Sequence, residues 1–199
     1  MGVKLCIFID QPNTIVMRKI FSLIAFSLFL MTPVVNAQDY FLADKGPFNP
    51  DIPSPEAFLE YPIGSQHTRH DMIVAYLTKL AELSDRATIE TYGKTHEGRK
   101  LVMLTVTTPA NLQNLESLKA QHLEYVDPTR NPTDYDALPA FIQLGYNVHG
   151  NEPSSSEAAL LTAYTLVASN NPQVLSYLDN GIIMIDPTIN PDGRDRHTQ

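Results

Sequence analysis

Leu144-Gly145-Tyr146-Asn147-Val148-His149-Gly150-Asn151-Glu152-Pro153 joins a compact apolar run, Ala140 to Tyr146, to an alanine- and leucine-rich stretch, Pro153 to Ser169. The apolar run has the length of a buried strand, and the stretch after it has the length of a helix. A second apolar run follows at Gly181 to Asp186, closed by Pro187. Strand, helix, strand predicts parallel neighbours in a sheet covered on both faces, so the fold class is α/β. In such sheets ligands bind just beyond the carboxyl ends of the strands, which makes the segment after Tyr146 a candidate site by position alone.

Upstream, Met72, Ile73, Tyr76, Leu77, Leu80 and Leu83 recur at spacings of three and four, predicting an amphipathic helix from Asp71 to Leu83. Two β-prone runs follow, Ala87 to Tyr92 and Leu101 to Thr107, with Gly93-Lys94-Thr95-His96-Glu97-Gly98-Arg99 between them. The two glycines permit a loop between antiparallel strands. Asn111 to Leu123 reads as a second helix, with Asn111 as its cap and Leu112, Leu115 and Leu118 on one face. Residues 38–56 carry Pro47, Pro50, Pro53 and Pro55 and no apolar periodicity, which predicts an extended lead-in over the domain surface.

The amino terminus has another character. Met17-Arg18-Lys19, an apolar run from Ile20 to Met31 and the small-residue pattern Val35-Asn36-Ala37 describe a secretory signal peptide over residues 1–37, with translation starting at Met17. Pro33 and Asn36 interrupt the run short of the roughly 20 apolar residues that a membrane span needs, so no stable membrane anchor is expected. Export to the periplasm or beyond the cell follows as an expectation. Cleavage after Ala37 removes Lys4, Arg18, Lys19 and Asp10, which moves the net charge from −8 to −10 (14 − 3 basic against 22 − 1 acidic residues). An acidic chain of this kind excludes nucleic acid as a partner class. Cys6 leaves with the same segment. Any metal must then be held by His, Asp or Glu.

His149 and Glu152 supply that chemistry. Neutral imidazole nitrogen and carboxylate oxygen are good zinc ligands, and catalytic zinc usually has three protein ligands and an open position. Pro153 disfavours helical backbone at Glu152, so the pair is expected to project from a loop, with Pro153 at the first helical position. An H-x-x-E pair alone is common; its frame of strand, glycine-containing loop, proline and helix is less so. A second framed segment, Asp186-Pro187-Thr188-Ile189-Asn190-Pro191-Asp192-Gly193-Arg194, follows the next strand. Its prolines and glycine specify a rigid turn, with Asp192 and Gly193 as structural residues.

Tyr92 to Arg99, then His149-Gly150-Asn151-Glu152, then Asn190-Pro191-Asp192-Gly193, in this order and spacing, resemble the zinc carboxypeptidases related to carboxypeptidases A and E. The resemblance covers roughly residues 57–196. It implies an α/β/α sandwich on a mixed, mainly parallel sheet, of which residues 57–199 form the amino-terminal part. It also implies hydrolysis of the C-terminal peptide bond of a peptide or protein substrate, with Zn2+ as cofactor and His149 and Glu152 as its first two ligands. The pancreatic branch has an arginine beside the metal-binding glutamate; Asn151 matches the carboxypeptidase E side instead and is a substrate-binding candidate. By the same resemblance the third ligand and the general base fall beyond Gln199.

Arg194 and Arg196 follow the second segment and are candidates for a substrate carboxylate through bidentate hydrogen bonds. His67, His70, His96, His122 and His197 read as surface histidines. Two other readings stay open. One is an amidase or deacylase using the same H-x-x-E pair; the other is a non-catalytic remnant or binding module.

Overall fold

The computed structural model describes residues 18–19, 21–24, 37–130 and 138–198. The chain divides into two compact units, Met1–Val35 and Asn36–Gln199. In the first, residues 18–19 and 21–24 are helical; most of the expected signal peptide, including Met17, lies outside the described residues. Among the described residues no helix is long and apolar enough to cross a membrane.

The second unit opens with helix α1 (Ala37–Leu42) and the short helix α2 (Pro55–Leu59), which flank the proline-rich segment. The extended lead-in is therefore corrected: it begins in a helix, and it reaches the core through Ile52, which is buried. Between the helices the backbone pairs with the end of a later helix, Asn49 N–H donating to Ala168 O (2.7 Å) and Asn170 N–H to Pro47 O (2.7 Å). Four prolines cannot donate to a ladder, so the pairing stops at a single bridge, Phe48 with Ser169.

Helix α3 (His70–Leu83) follows, one residue longer at its start than the periodicity predicts. Ile73, Tyr76, Leu77 and Leu80 on its apolar stripe are fully buried. Strands β1 (Ala87–Lys94) and β2 (Lys100–Val106) form the expected antiparallel hairpin, its register shifted once between Thr91 and Gly93. Gly98, with φ 81°, closes the turn by donating to Thr95 O (3.0 Å). The next helical stretch is broken in two, α4 (Pro109–Gln113) and α5 (Leu115–Val126). Its cap is Thr108, whose hydroxyl accepts from Asn111 N–H (3.2 Å), so Asn111 lies inside the helix instead of capping it.

Strand β3 (Ala140–Gly145), helix α6 (Ser154–Ala168), helix α7 (Pro172–Asn180), strand β4 (Gly181–Asp186) and helix α8 (Pro191–His197) complete the unit. Helix α7 has a sequence signal in hindsight: Asn171 caps it by accepting from Gln173 N–H (2.9 Å), and Pro172 stands at its start. The four strands make one mixed sheet in the order β1-β2-β4-β3. β3 and β4 are parallel neighbours in full register from Ala140 with Gly181 to Gly145 with Asp186. The other two pairings are antiparallel, so among the described strands the sheet is mixed but not mainly parallel.

The core joins Leu104 and Val106 of β2 and Ile183 and Ile185 of β4 to the buried faces of α3, α6 and α7. Side chains alternate along β4, so Ile182, fully buried, points to the opposite face from Ile183 and Ile185. Helix α6 is buried on nearly all sides, from Ser156 and Glu157 to Ala168. That explains its lack of apolar periodicity, since a helix enclosed in a core need not be amphipathic.

Candidate metal centre

Tyr146 to Pro153 leave the carboxyl end of β3 and turn into α6. The loop is tied to the end of β4 by three backbone bonds: Tyr146 N–H to Asp186 O (2.9 Å), Ile189 N–H to Tyr146 O (2.9 Å) and Asn190 N–H to Asn147 O (3.1 Å). Asn147 is the pivot. Its φ of 52° lies in the left-handed region, which asparagine tolerates better than most residues. It is buried, its N–H donates to Ser155 Oγ (2.7 Å), and its side-chain amide donates to His149 O (2.9 Å) and Glu152 O (3.3 Å). Glu152 N–H closes the turn onto His149 O (3.1 Å).

His149 and Glu152 are both exposed, and no other described residue engages the imidazole or the carboxylate. Pro153 already has helical backbone angles (φ −69°, ψ −37°), so the pair projects from the loop just ahead of α6. One imidazole nitrogen and one carboxylate, both unoccupied by hydrogen bonds, fit zinc as two of its usual three protein ligands. Among the described residues no group of three His, Cys, Asp or Glu side chains could hold an ion.

The segment after β4 is a short helix start as well as a turn. Asn190 caps α8 through Gly193 N–H (2.9 Å), and Pro191 occupies the first turn. Asp192 faces the hairpin: it accepts from Thr95 Oγ1 (2.7 Å), Glu97 N–H (3.2 Å) and Arg99 Nη1 (2.7 Å). Arg99 also donates from Nε to Asp195 Oδ2 (2.8 Å) and pairs with Glu97. Gly193 lies directly against Gly150. The three motifs separated in the sequence thus meet around α8, with the hairpin turn on one side and the loop of His149 and Glu152 on the other.

Arg194 departs from expectation. It is fully buried, and its nitrogens donate to Thr68 O (3.0 Å), Glu152 O (3.4 Å), Pro153 O (3.4 Å) and Glu157 Oε1 (2.5 Å). With no part of the guanidinium exposed, it has no donor to offer a substrate carboxylate. Arg196 is exposed and donates to Glu97 Oε1 of the hairpin turn (2.9 Å). Asn151 is exposed beside the pair.

His70 is a second correction, being buried with Nε2 against Lys100 O (2.7 Å) and its backbone N–H donating to Asp195 Oδ1 (2.9 Å). Burial holds its imidazole below the ordinary value, against the opposing pull of the Lys100 carbonyl and Asp195. His67 stacks obliquely on His197, with centroids 5.2 Å apart. Burial first and the Arg194 charge second lower its pKa. Asp186, at the end of β4, accepts from Tyr92 Oη (2.5 Å), and burial raises its pKa in spite of that bond. Thr68, Glu157 and Asp195 carry no motif of their own; the signal for Glu157 was an acidic residue within an otherwise apolar helix.

A parallel strand pair with an unengaged imidazole and carboxylate on the loop beyond it defines a candidate metal half-site. The zinc carboxypeptidase family matches residues 73–199, more than half of the chain, and the chain belongs to that family. Human carboxypeptidase D is 33% identical over 89 residues, a match covering 43% of this chain and 6% of that protein. The fold is similar to the crystal structure of carboxypeptidase A from Helicoverpa armigera (TM-score 0.50, 20% identity, 81% of this chain and 34% of that one). It is similar also to thrombin activatable fibrinolysis inhibitor (TM-score 0.51, 16% identity, 80% and 33%). The chain spans about a third of the length of these solved structures.

Proposed function

We propose that the protein to which this chain belongs is an exported, zinc-dependent metallocarboxypeptidase that hydrolyses C-terminal peptide bonds. The observation that carries this reading is the state of His149 and Glu152: exposed, unengaged by any other described residue, and carried by a loop held to β4 at Tyr146 and Asn147 and by side-chain bonds at Glu152 and Pro153. Ligands held in this way bind a metal without first breaking other bonds or losing much conformational freedom. Bound zinc supplies Lewis-acid polarisation of the scissile carbonyl. This chain's own residues then have three tasks. His149 and Glu152 hold the ion, Asn147 and the bonds to β4 keep their loop in place, and Asn151 faces the substrate. Arg196, exposed and in a weak surface ion pair, remains available to a substrate carboxylate.

Zinc content and release of C-terminal amino acids from blocked peptides test the proposal, measured on the protein isolated from its source and on its His149→Ala and Glu152→Ala variants. Loss of both properties in each variant is the expected result. C-terminal release that survives both substitutions would overturn it, and zinc-dependent cleavage of acyl-amino acids alone would replace it with an amidase. The exported protein is expected to begin at Gln38, and N-terminal sequencing that finds Met1 would reject the signal peptide.

A further inference from the structure

Arg194 and Glu157 form an ion pair inside the protein, with side-chain exposures of 0% and 6%. Such a pair is poor value as a source of stability, because desolvating two charges costs about as much as their attraction returns. Well-packed apolar residues of similar volume serve as well or better in that role. Two features of this pair have no apolar substitute. The guanidinium reaches the carbonyl oxygens of Glu152 and Pro153 together, both 3.4 Å from Nη1. It is itself held from two sides, by Glu157 Oε1 at Nη2 and by Thr68 O at Nε. Glu157 Oε1 in turn accepts from Thr68 N–H (2.8 Å), which closes the arrangement onto the segment leading into α3.

We propose that Arg194 is a positioning residue for the metal: it fixes the backbone at Glu152, and through it the direction of the Glu152 carboxylate, while Glu157 orients the guanidinium. This rests on the reading of His149 and Glu152 as zinc ligands. The two long bonds are individually weak, but they come from one rigid planar group and constrain two successive peptide planes. They act on the carboxylate side of the pair, whereas Asn147 contacts the carbonyls of both ligands. Lysine, a single ammonium on a flexible stem, cannot reproduce this fork.

The test compares the wild-type protein isolated from its source with Arg194→Lys, the double variant Arg194→Met/Glu157→Leu, and the controls His149→Ala and Glu152→Ala. Zinc affinity is read by competition with a chromophoric chelator, ligand geometry by the visible spectrum of the Co2+-substituted protein, and folding by thermal melting. The double variant leaves Thr68 N–H and three carbonyl oxygens without these partners, so it is expected to melt below wild type, and, where folded, to bind zinc about ten-fold or more weakly with an altered Co2+ spectrum. Arg194→Lys is expected to fall between the two. A folded double variant with unchanged zinc affinity and Co2+ spectrum would show that Arg194 only fills space, and would overturn the inference while leaving the ligands in place. Controls that bind zinc as tightly as wild type would instead remove the ligand reading, and this inference with it. Should the double variant not fold, Arg194→Lys, which keeps the charge beside Glu157, decides on the same two readouts.

Discussion

A methyl group built on Gly150 would stand 2.1 Å from the carbonyl carbon of Gly193 and 2.2 Å from the amide nitrogen of Arg194. Both neighbours are backbone, so no rotamer change can relieve the contact. The loop of His149 and Glu152 and the start of α8 touch because Gly150 carries no side chain; a Cβ on Gly193 would meet the capping Asn190 side chain instead.

Gly150→Ala is accordingly expected to push the loop and α8 apart. Overpacking of this kind typically costs about 1–3 kcal/mol, and here the upper end applies because the backbone itself must move. Urea unfolding measures the loss, and a midpoint unchanged from wild type would show that the two segments separate freely.

Asn147 invites a graded series. Asn147→Gly keeps access to φ 52° but removes the bonds to His149 O and Glu152 O, and should cost about 1–2 kcal/mol. Asn147→Ala adds left-handed backbone strain of about 1 kcal/mol. Asn147→Asp turns a donor into an acceptor facing two carbonyl oxygens and is expected to be the most harmful. Zinc affinity and melting temperature should both fall in the order Gly, Ala, Asp.

Tyr92 and Asp186 share a bond whose two ends titrate abnormally. Burial, and then Asp186, pushes the Tyr92 phenol up to about 12 from 10.0. A phenol raised in the folded state adds stability that is complete below pH 10 and is lost as pH rises through 12. Tyr92→Phe should therefore flatten the alkaline limb of the stability profile. At neutral pH it should cost about 1 kcal/mol, because Asp186 Oδ2 is left without its partner. Melting temperature against pH checks both arms.

Asp192 works in the opposite direction. Burial pushes its carboxyl up, but Thr95, Arg99 and the Glu97 amide together outweigh it and hold the carboxyl below 3.8. A carboxyl depressed in the folded state contributes stability above its unfolded pKa, and that contribution is lost as pH falls through the folded value. Asp192→Asn is thus expected to melt lower than wild type at neutral pH, with the difference closing below pH 3.8. Parallel profiles for the two proteins would dissociate Asp192 from the acid limb.

Much of the fold was legible in the chain because its signals are local. The stripe of Ile73, Tyr76, Leu77 and Leu80, the hairpin around Gly98, and the strand-helix-strand order with Pro153 at the helix start each depend on residues a few positions apart. Helix α7 escapes a reading by periodicity because it is short: its nine residues, with Val174 and Leu178 buried, make only about two and a half turns. The break between α4 and α5 falls at Asn114, whose backbone (φ −104°, ψ 11°) leaves the helical region, and Thr108 and Asn111 are both capping residue types between which only the folded backbone chooses.

For the site, His149 and Glu152 could be named from the sequence alone because zinc ligation depends on donor type, and their spacing with Pro153 keeps both on one short loop. Nothing local could distinguish Arg194, buried to the last nitrogen, from Arg196, exposed two residues later on the same short helix. That difference is tertiary: α8 turns one arginine toward Thr68, Glu157 and the Glu152 carbonyl and the other toward Glu97. Donor chemistry and local periodicity are properties of neighbouring residues, and the sequence by itself determined them. Which charges are buried, and what they hold, depends on contacts between segments as far apart as Thr68 and Arg194, and only the packed structure decided that.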